Sequence, residues 1–260
     1  MERRFYAMRL WYDGGRFRGF QRQRGLPTVQ EALEAALRDA LGEASARPRL
    51  AAAARTDAGV HALGQVVSFS ARAALDPEAL RGALNAALPE GVAVVEAWAA
   101  RRGFHARASA RSRTYVYLVG TDLPEGIRPY AWSLPDPRAF PEGAFRLDPA
   151  ALRAALAQAV GEHDFSGLAR PGGQASARRT LLRAEVVSAS WVPLHAIVVE
   201  GTGFARAMVR NLVGTAVATG LGLAPPTAVA ERIAVGGRYR GARAPGWGLT
   251  LASVAYPPAP

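Results

Sequence analysis

Leu50-Ala51-Ala52-Ala53-Ala54 leads into Arg55-Thr56-Asp57-Ala58-Gly59-Val60-His61-Ala62-Leu63-Gly64-Gln65, and that stretch into Val66-Val67-Ser68-Phe69. The apolar flanks read as strands over residues 49–55 and 65–71, and the centre reads as the connection between them. One carboxylate, Asp57, thus stands in a turn held at both ends by strands. Gly59 and Gly64 permit a sharp turn and the close approach of a ligand. Arg55 and Asp57 are two residues apart, so on an extended backbone both side chains point to one face. A guanidinium beside a carboxylate favours the charged form. Thr-Asp-Ala-Gly is also ordinary turn chemistry, with an Asx-type bond and a left-handed glycine, so the local pattern fits a surface turn as well as a site.

Outward from this turn the elements follow a regular plan. Residues 3–12 read as a strand, followed by a glycine- and arginine-rich loop over 13–25. Thr28, with Glu31 three residues on, forms a capping box for a helix with Ala32, Leu33, Ala36, Leu37, Ala40 and Leu41 on its apolar stripe. Asp76-Pro77 opens a second helix, with Pro at its first position, that stops before Pro89. Residues 91–99 read as a strand. The order strand, helix, strand, strand, helix, strand is the split β-α-β plan of ferredoxin-like domains.

The second half repeats the plan. A strand over 109–119 precedes a proline-rich linker over 123–149. A helix over 148–160, again opened by Asp-Pro, is followed by strands over 179–191 and 194–203. Helices over 204–220 and 226–235 lead to a last strand over 248–256. The expected fold class is therefore α+β: two ferredoxin-like (βαββαβ) domains, 1–103 and 104–260, with adjoining antiparallel sheets and a catalytic cleft between them. The first domain carries the Asp57 loop and the second completes the cleft.

Composition narrows the chemistry. The chain of 260 residues has no cysteine, which excludes disulfides, thiolate nucleophiles and cysteine metal sites and makes a cytoplasmic location the default. No apolar run reaches the length of a membrane span, and the start lacks a signal-peptide core. No lysine is present, so every one of the 32 basic residues is Arg and Schiff-base chemistry is excluded. Against 21 acidic residues the net charge is +11, which points to a polyanionic partner, most commonly nucleic acid. Scarce Asn and proline-bearing loops suggest heat tolerance.

Arg16, Arg18, Arg22 and Arg24 form one basic stretch, and Arg101, Arg102, Arg107, Arg111 and Arg113 form another. Both are expected to meet phosphates, with a solvated charged face as the plainer alternative. The four histidines, His61, His105, His163 and His195, show neither metal-ligand spacing nor a Ser/His/Asp order.

Several motifs together resemble the tRNA pseudouridine synthase A family, and they span the chain. Tyr12-Asp13-Gly14 with Gly19-Phe20-Gln21-Arg22-Gln23 is similar to the family's opening block, with Phe20 where Trp is usual. Thr28-Val29-Gln30 fits the helix start. Arg55 to Ala62 matches the catalytic motif residue for residue. Phe104-His105-Ala106-Arg107 with Tyr115-Val116-Tyr117, then His163-Asp164-Phe165, Met208-Val209-Arg210-Asn211, Ala244-Pro245 and Gly248-Leu249 follow in order. The resemblance implies a cofactor-free isomerase that converts uridine to pseudouridine at positions 38, 39 and 40 in the anticodon arm of tRNA. It also implies a homodimer that shares one tRNA between subunits.

The chemistry breaks the C1′–N1 bond of a flipped-out uridine and rebonds the base through C5. Asp57 is the candidate nucleophile, with attack at C1′, attack at C6 and support of an elimination all open. By resemblance Arg210 pairs with Asp57. Arg55 displaces the target base or its partner, or holds a phosphate. Tyr115 stacks on uracil or moves a proton, while Tyr117 belongs to the core. Two other classes are distinguishable. A non-catalytic RNA-binding module would show no dependence on Asp57 beyond binding, and a metal hydrolase would need a second acid near Asp57.

Overall fold

The computed structural model describes residues 3–42, 49–140, 146–170 and 176–258. Packing divides the chain into two compact units, Met1–Arg111 with Leu251–Pro260, and Ser112–Thr250. Both mix helices with antiparallel strands.

The first unit contains β1 (Arg4–Tyr12), α1 (Val29–Leu41), β2 (Ala51–Ala52), β3 (His61–Ala71), α2 (Pro77–Ala87) and β4 (Val92–Ala100). β1 is central and antiparallel to both neighbours, with Met8 opposite Val67 of β3 and Ala97 of β4. Met8 and Leu10 are fully buried while Arg9 and Trp11 between and beyond them are exposed, the period-two signature of a strand with one packed face. α1 starts at the expected cap: Thr28 Oγ1 accepts from the Glu31 amide at 3.4 Å, an interaction worth about 1 kcal/mol. Its stripe Val29, Leu33, Ala36 and Leu37 is buried. α2 is opened by Asp76, whose carboxylate accepts from the Glu78 amide at 3.2 Å, and it buries Leu80 and Leu84.

The strands flanking Asp57 differ from the sequence expectation. The first is only Ala51–Ala52, and the second begins at His61 rather than at 65. Gly64 is not a turn residue. It sits inside β3, where a Cβ would lie 2.5 Å from the Ala252 carbonyl oxygen. Its small size serves strand contact, and this shortens the connection that carries Asp57.

The second unit contains β5 (Ser112–Thr121), β6 (Trp132–Leu134), α3 (Pro149–Ala157), β7 (Gly161–Asp164), β8 (Arg178–Ser188), β9 (Leu194–Gly201), α4 (Met208–Gly220) and α5 (Ala228–Val235). The strand order is β5-β9-β8-β7, with β6 parallel to β5 on its other side. The last strand, β10 (Leu249–Ala255), leaves this unit, and from Leu251 the chain packs with the first. There Val254 and Tyr256 lie against Ala53, Val66 and Ala106, and Tyr256 Oη donates to the Ala106 carbonyl at 2.7 Å.

The segment expected as a proline-rich linker is partly core, and its Pro141 lies outside the described residues. Trp132 is fully buried, stacks on Phe140 at 5.4 Å and meets Tyr117 edge-on at 6.3 Å. Its indole N–H donates to Asp136 Oδ2 at 2.9 Å, which satisfies the ring's polar edge. The helix expected from 204 begins at Met208, because Ala207 before it takes a left-handed conformation with φ 60°. β7, a four-residue strand of Gly, Glu, His and Asp, has no apolar pattern to announce it.

Candidate functional site

Three neighbours hold the main chain around Asp57. β2 ends at Ala52, and Ala53 N still donates to the Val66 carbonyl at 2.8 Å. At Ala54 a side chain replaces the main-chain ladder: Gln65 Oε1 accepts from Ala54 N at 3.2 Å and Gln65 Nε2 donates to Ala54 O at 2.8 Å. Thr56 is buried, and its hydroxyl is 2.8 Å from the Tyr12 hydroxyl at the end of β1. The chain then turns over Asp57–Val60, with Val60 N bonded to the Asp57 carbonyl at 3.2 Å. Gly59 supplies the positive φ, 79°, that the third position of such a turn requires.

The loop after β1 closes on this turn from outside. Phe20 N donates to the Thr56 carbonyl at 3.0 Å. Gly19, at φ 100°, lies so close that a Cβ would stand 3.0 Å from Thr56 O and 3.2 Å from the Asp57 carbonyl carbon. A Cβ on Gly14 would overlap the Val60 carbonyl at 2.1 Å. His61 Nδ1, buried, accepts from Gly14 N at 3.1 Å and lies 3.1 Å from Asp13 Oδ1. Asp57 is half-buried, between exposed Arg55 and exposed Ala58, on a backbone hydrogen-bonded at Ala54, Thr56 and Val60.

Tyr115 and Arg210 are in the second unit. Tyr115 is buried on β5 and meets the Phe204 ring edge-on at 5.2 Å. Tyr117, two residues on, is core as expected. Its hydroxyl donates to the Pro245 carbonyl at 3.1 Å. Burial pushes its pKa well above the usual tyrosine value, against the opposing effect of the Arg210 charge. Arg210, half-buried in the first turn of α4, donates from Nε to the Ala244 carbonyl at 2.8 Å, and Ala244 N returns a bond to Arg210 O at 3.1 Å. A Cβ on Gly248 would meet the Tyr117 ring at 2.6 Å. The 244–248 segment therefore fixes both Arg210 and Tyr117.

A family pattern described as tRNA pseudouridine synthase matches residues 10–107 and 155–257. The chain belongs to the tRNA pseudouridine synthase A family. A protein of that name from Thermosipho melanesiensis is 37% identical over 257 residues, covering 96% of this chain and 99% of the relative. Those from Frankia casuarinae, at 41% over 96% and 89%, and Myxococcus xanthus, at 39% over 96% and 92%, are similar to it over almost their full lengths.

Among the arginines expected to meet RNA, placement varies. Arg18, Arg24, Arg101, Arg102, Arg107 and Arg111 are exposed. Arg16 grips Glu90 through two bonds, 2.8 and 3.2 Å, and Arg22 lies 3.4 Å from Glu34. Arg113 is buried and donates to the Thr202 carbonyl at 2.8 Å. His105 caps the turn that presents Arg107: its Nδ1 accepts from the amides of Arg107 and Ala108, both at 3.2 Å. Among the described residues no group of three or more His, Cys, Asp or Glu is placed to hold a metal ion, and no helix is long and apolar enough to cross a membrane. Tyr12, Thr56 and Gln65 support the turn through contacts that local sequence pattern does not reveal. The available signal was Gln65, a polar residue inside an apolar strand, which must find partners when buried.

Proposed function

We propose that this member of the tRNA pseudouridine synthase A family isomerises uridine at positions 38, 39 and 40 of the anticodon stem-loop, with Asp57 as the nucleophile acting on a flipped-out base. The observation that carries the reading is the Asp57 turn. Its carboxylate lies in the family's catalytic motif, half-buried on a main chain clamped by Tyr12, Phe20 and Gln65. Preorganisation of this kind is what a reaction needing an aligned nucleophile uses.

In the isomerisation the C1′–N1 bond breaks, the base turns, and C1′ bonds to C5. The C5 proton passes to solvent and N1 gains one. Asp57 acts either by adding to C1′ or C6 or by assisting removal of a sugar proton. Arg210 is assigned as its ionic partner, Tyr115 as the ring that stacks on uracil or moves a proton, and Arg55 as the residue that displaces the target base or its partner. These roles follow the family pattern. The arrangement of two ferredoxin-like domains around a shared cleft, the homodimer that shares one tRNA, and a cytoplasmic location belong to the same reading. The surface arginines Arg18, Arg24, Arg101, Arg102, Arg107 and Arg111 suit the phosphates of the substrate.

The test uses tRNA transcripts with uridine at 38, 39 and 40, and the same transcripts with cytidine there. After incubation, pseudouridine is located by carbodiimide modification and primer extension. Stops at those positions alone support the assignment. Stops elsewhere, or none, refute it.

A further inference from the structure

A chain of buried and part-buried hydrogen bonds runs from Ala54 through Gln65 and Tyr12 to Thr56 beside Asp57. Gln65 is fully buried in β3. Its Nε2 donates to Ala54 O at 2.8 Å and to Tyr12 Oη at 3.3 Å, and its Oε1 accepts from Ala54 N at 3.2 Å. Both amide hydrogens are used, one of them by the Tyr12 hydroxyl, which also shares a hydrogen bond with Thr56 Oγ1, 2.8 Å away. Burial pushes the Tyr12 pKa up to about 12, against the smaller effects of its bonds to Thr56 and Gln65, so the phenol keeps its proton at neutral pH.

The register shows what this chain accomplishes. β2 pairs Ala51 with Ser68 and Ala52 with Val67. Ala53 N keeps its main-chain bond to Val66 O, and at Ala54 the Gln65 side chain bonds both main-chain groups. The backbone can then leave the sheet immediately before Arg55 and still be anchored. Thr56, the residue before Asp57, is fixed through its hydroxyl by Tyr12 and through its carbonyl by Phe20.

We propose that Gln65, acting through Tyr12 and Thr56, is the positioning residue of this enzyme: it sets where the Asp57 carboxylate meets the flipped uridine without touching the substrate. The proposal rests on the catalytic reading of Asp57 given above. Removing a link frees the turn while leaving the RNA-facing arginines as they are, so the loss falls on kcat rather than on binding. A displacement near 1 Å at a reacting group costs about 100-fold in rate.

The experiment follows tritium release from tRNA labelled at uridine C5, with kcat, KM, tRNA affinity and melting temperature measured for each protein. The variants are Gln65→Leu, Tyr12→Phe, Thr56→Val, Thr56→Ser and Asp57→Ala. Gln65→Leu and Thr56→Val are expected to lower kcat by about 10- to 100-fold with KM and affinity unchanged. Thr56→Ser, which keeps the hydroxyl, is expected to retain about tenfold more kcat than Thr56→Val. The Tyr12→Phe and Thr56→Val double variant should lose no more than the worse single one, because the bond that Thr56→Val cuts is already cut by Tyr12→Phe, which removes the Gln65 bond as well. If Gln65→Leu does not fold, the Thr56 pair, which differs by single atoms, decides. Release lost in Asp57→Ala but kept at the wild-type kcat in Thr56→Val, with only the melting temperature lowered, overturns the positioning role alone. Release that survives Asp57→Ala overturns the catalytic reading, and this proposal with it.

Discussion

Gly19 and Gly25 form a controlled pair for testing how the Asp57 turn is held. Both are in the loop after β1 and both have positive φ, 100° and 72°. They differ in what a side chain would meet. At Gly25 nothing lies within 4 Å of an added Cβ, whereas at Gly19 the Cβ would lie 3.0 Å from Thr56 O, 3.2 Å from Ala58 N and 3.2 Å from the Asp57 carbonyl carbon. Gly25→Ala should therefore show backbone strain alone, about 1–2 kcal/mol, read as a melting temperature lower by roughly 2–8 °C. Gly19→Ala carries similar strain plus a contact that must open by a few tenths of an ångström, and what gives way is the Asp57 backbone. Scaled from the 100-fold cost of a 1 Å error, a shift of about 0.3 Å predicts about a fourfold loss in kcat. The assay is tritium release at a temperature well below both midpoints, with tRNA affinity measured in parallel. Equal kcat values for the two variants would show that the approach of Gly19 has no bearing on Asp57.

Ala207, left-handed at φ 60° just before α4, should gain from glycine. Ala207→Gly is expected to recover about 1 kcal/mol, visible as a rise in melting temperature, and a fall would contradict the assigned strain. Asp136→Ala leaves the buried Trp132 indole N–H without its acceptor and should cost about 1–3 kcal/mol. Burial raises the Asp136 pKa, but the bonds from Arg138 and Trp132 outweigh it and hold the carboxyl below its ordinary value. A depressed folded-state pKa gives stability that is present above the unfolded value near 4 and lost as pH falls through the folded one. The stability gap between wild type and Asp136→Asn should accordingly close as pH drops below about 4, which urea titrations at several pH values would show. Arg107→Ala should reduce the slope of log affinity against log salt by about one. Arg113→Ala, which removes a buried bond to Thr202, should lower stability instead, and filter-binding and melting curves separate the two.

Much of the scaffold could be read from the sequence because local chemistry and tertiary packing agree there. Thr28 with its apolar stripe, Asp76-Pro77 and Asp148-Pro149 mark helix starts by side-chain bonds that form within two or three residues. The Asp57 motif was legible for the same reason, as a turn with Gly59 at positive φ. Other features depend on residues far apart in sequence. Gly64 resembles a turn residue until Ala252 is placed against it. Ala54 reads as strand, yet its partner is a side chain eleven residues away. Trp132 stands among scattered prolines, between Pro129 and Pro135, and looks like linker until Tyr117 and Phe140 pack against it. Arg113 resembles its exposed neighbours, but alternation along β5 turns it inward to the Thr202 carbonyl. Asp57 stands in the first unit and Tyr115 and Arg210 in the second, and their roles rest on the family pattern.

Whether Asp57 carries the isomerisation is decided by release of tritium from C5-labelled tRNA, in EDTA, by the wild-type protein and by Asp57→Ala, with tRNA binding checked for both. With Asp57 as the nucleophile, the wild type releases tritium, the variant releases none, and both bind. Binding without release by the wild type, or release undiminished in Asp57→Ala, would contradict that role.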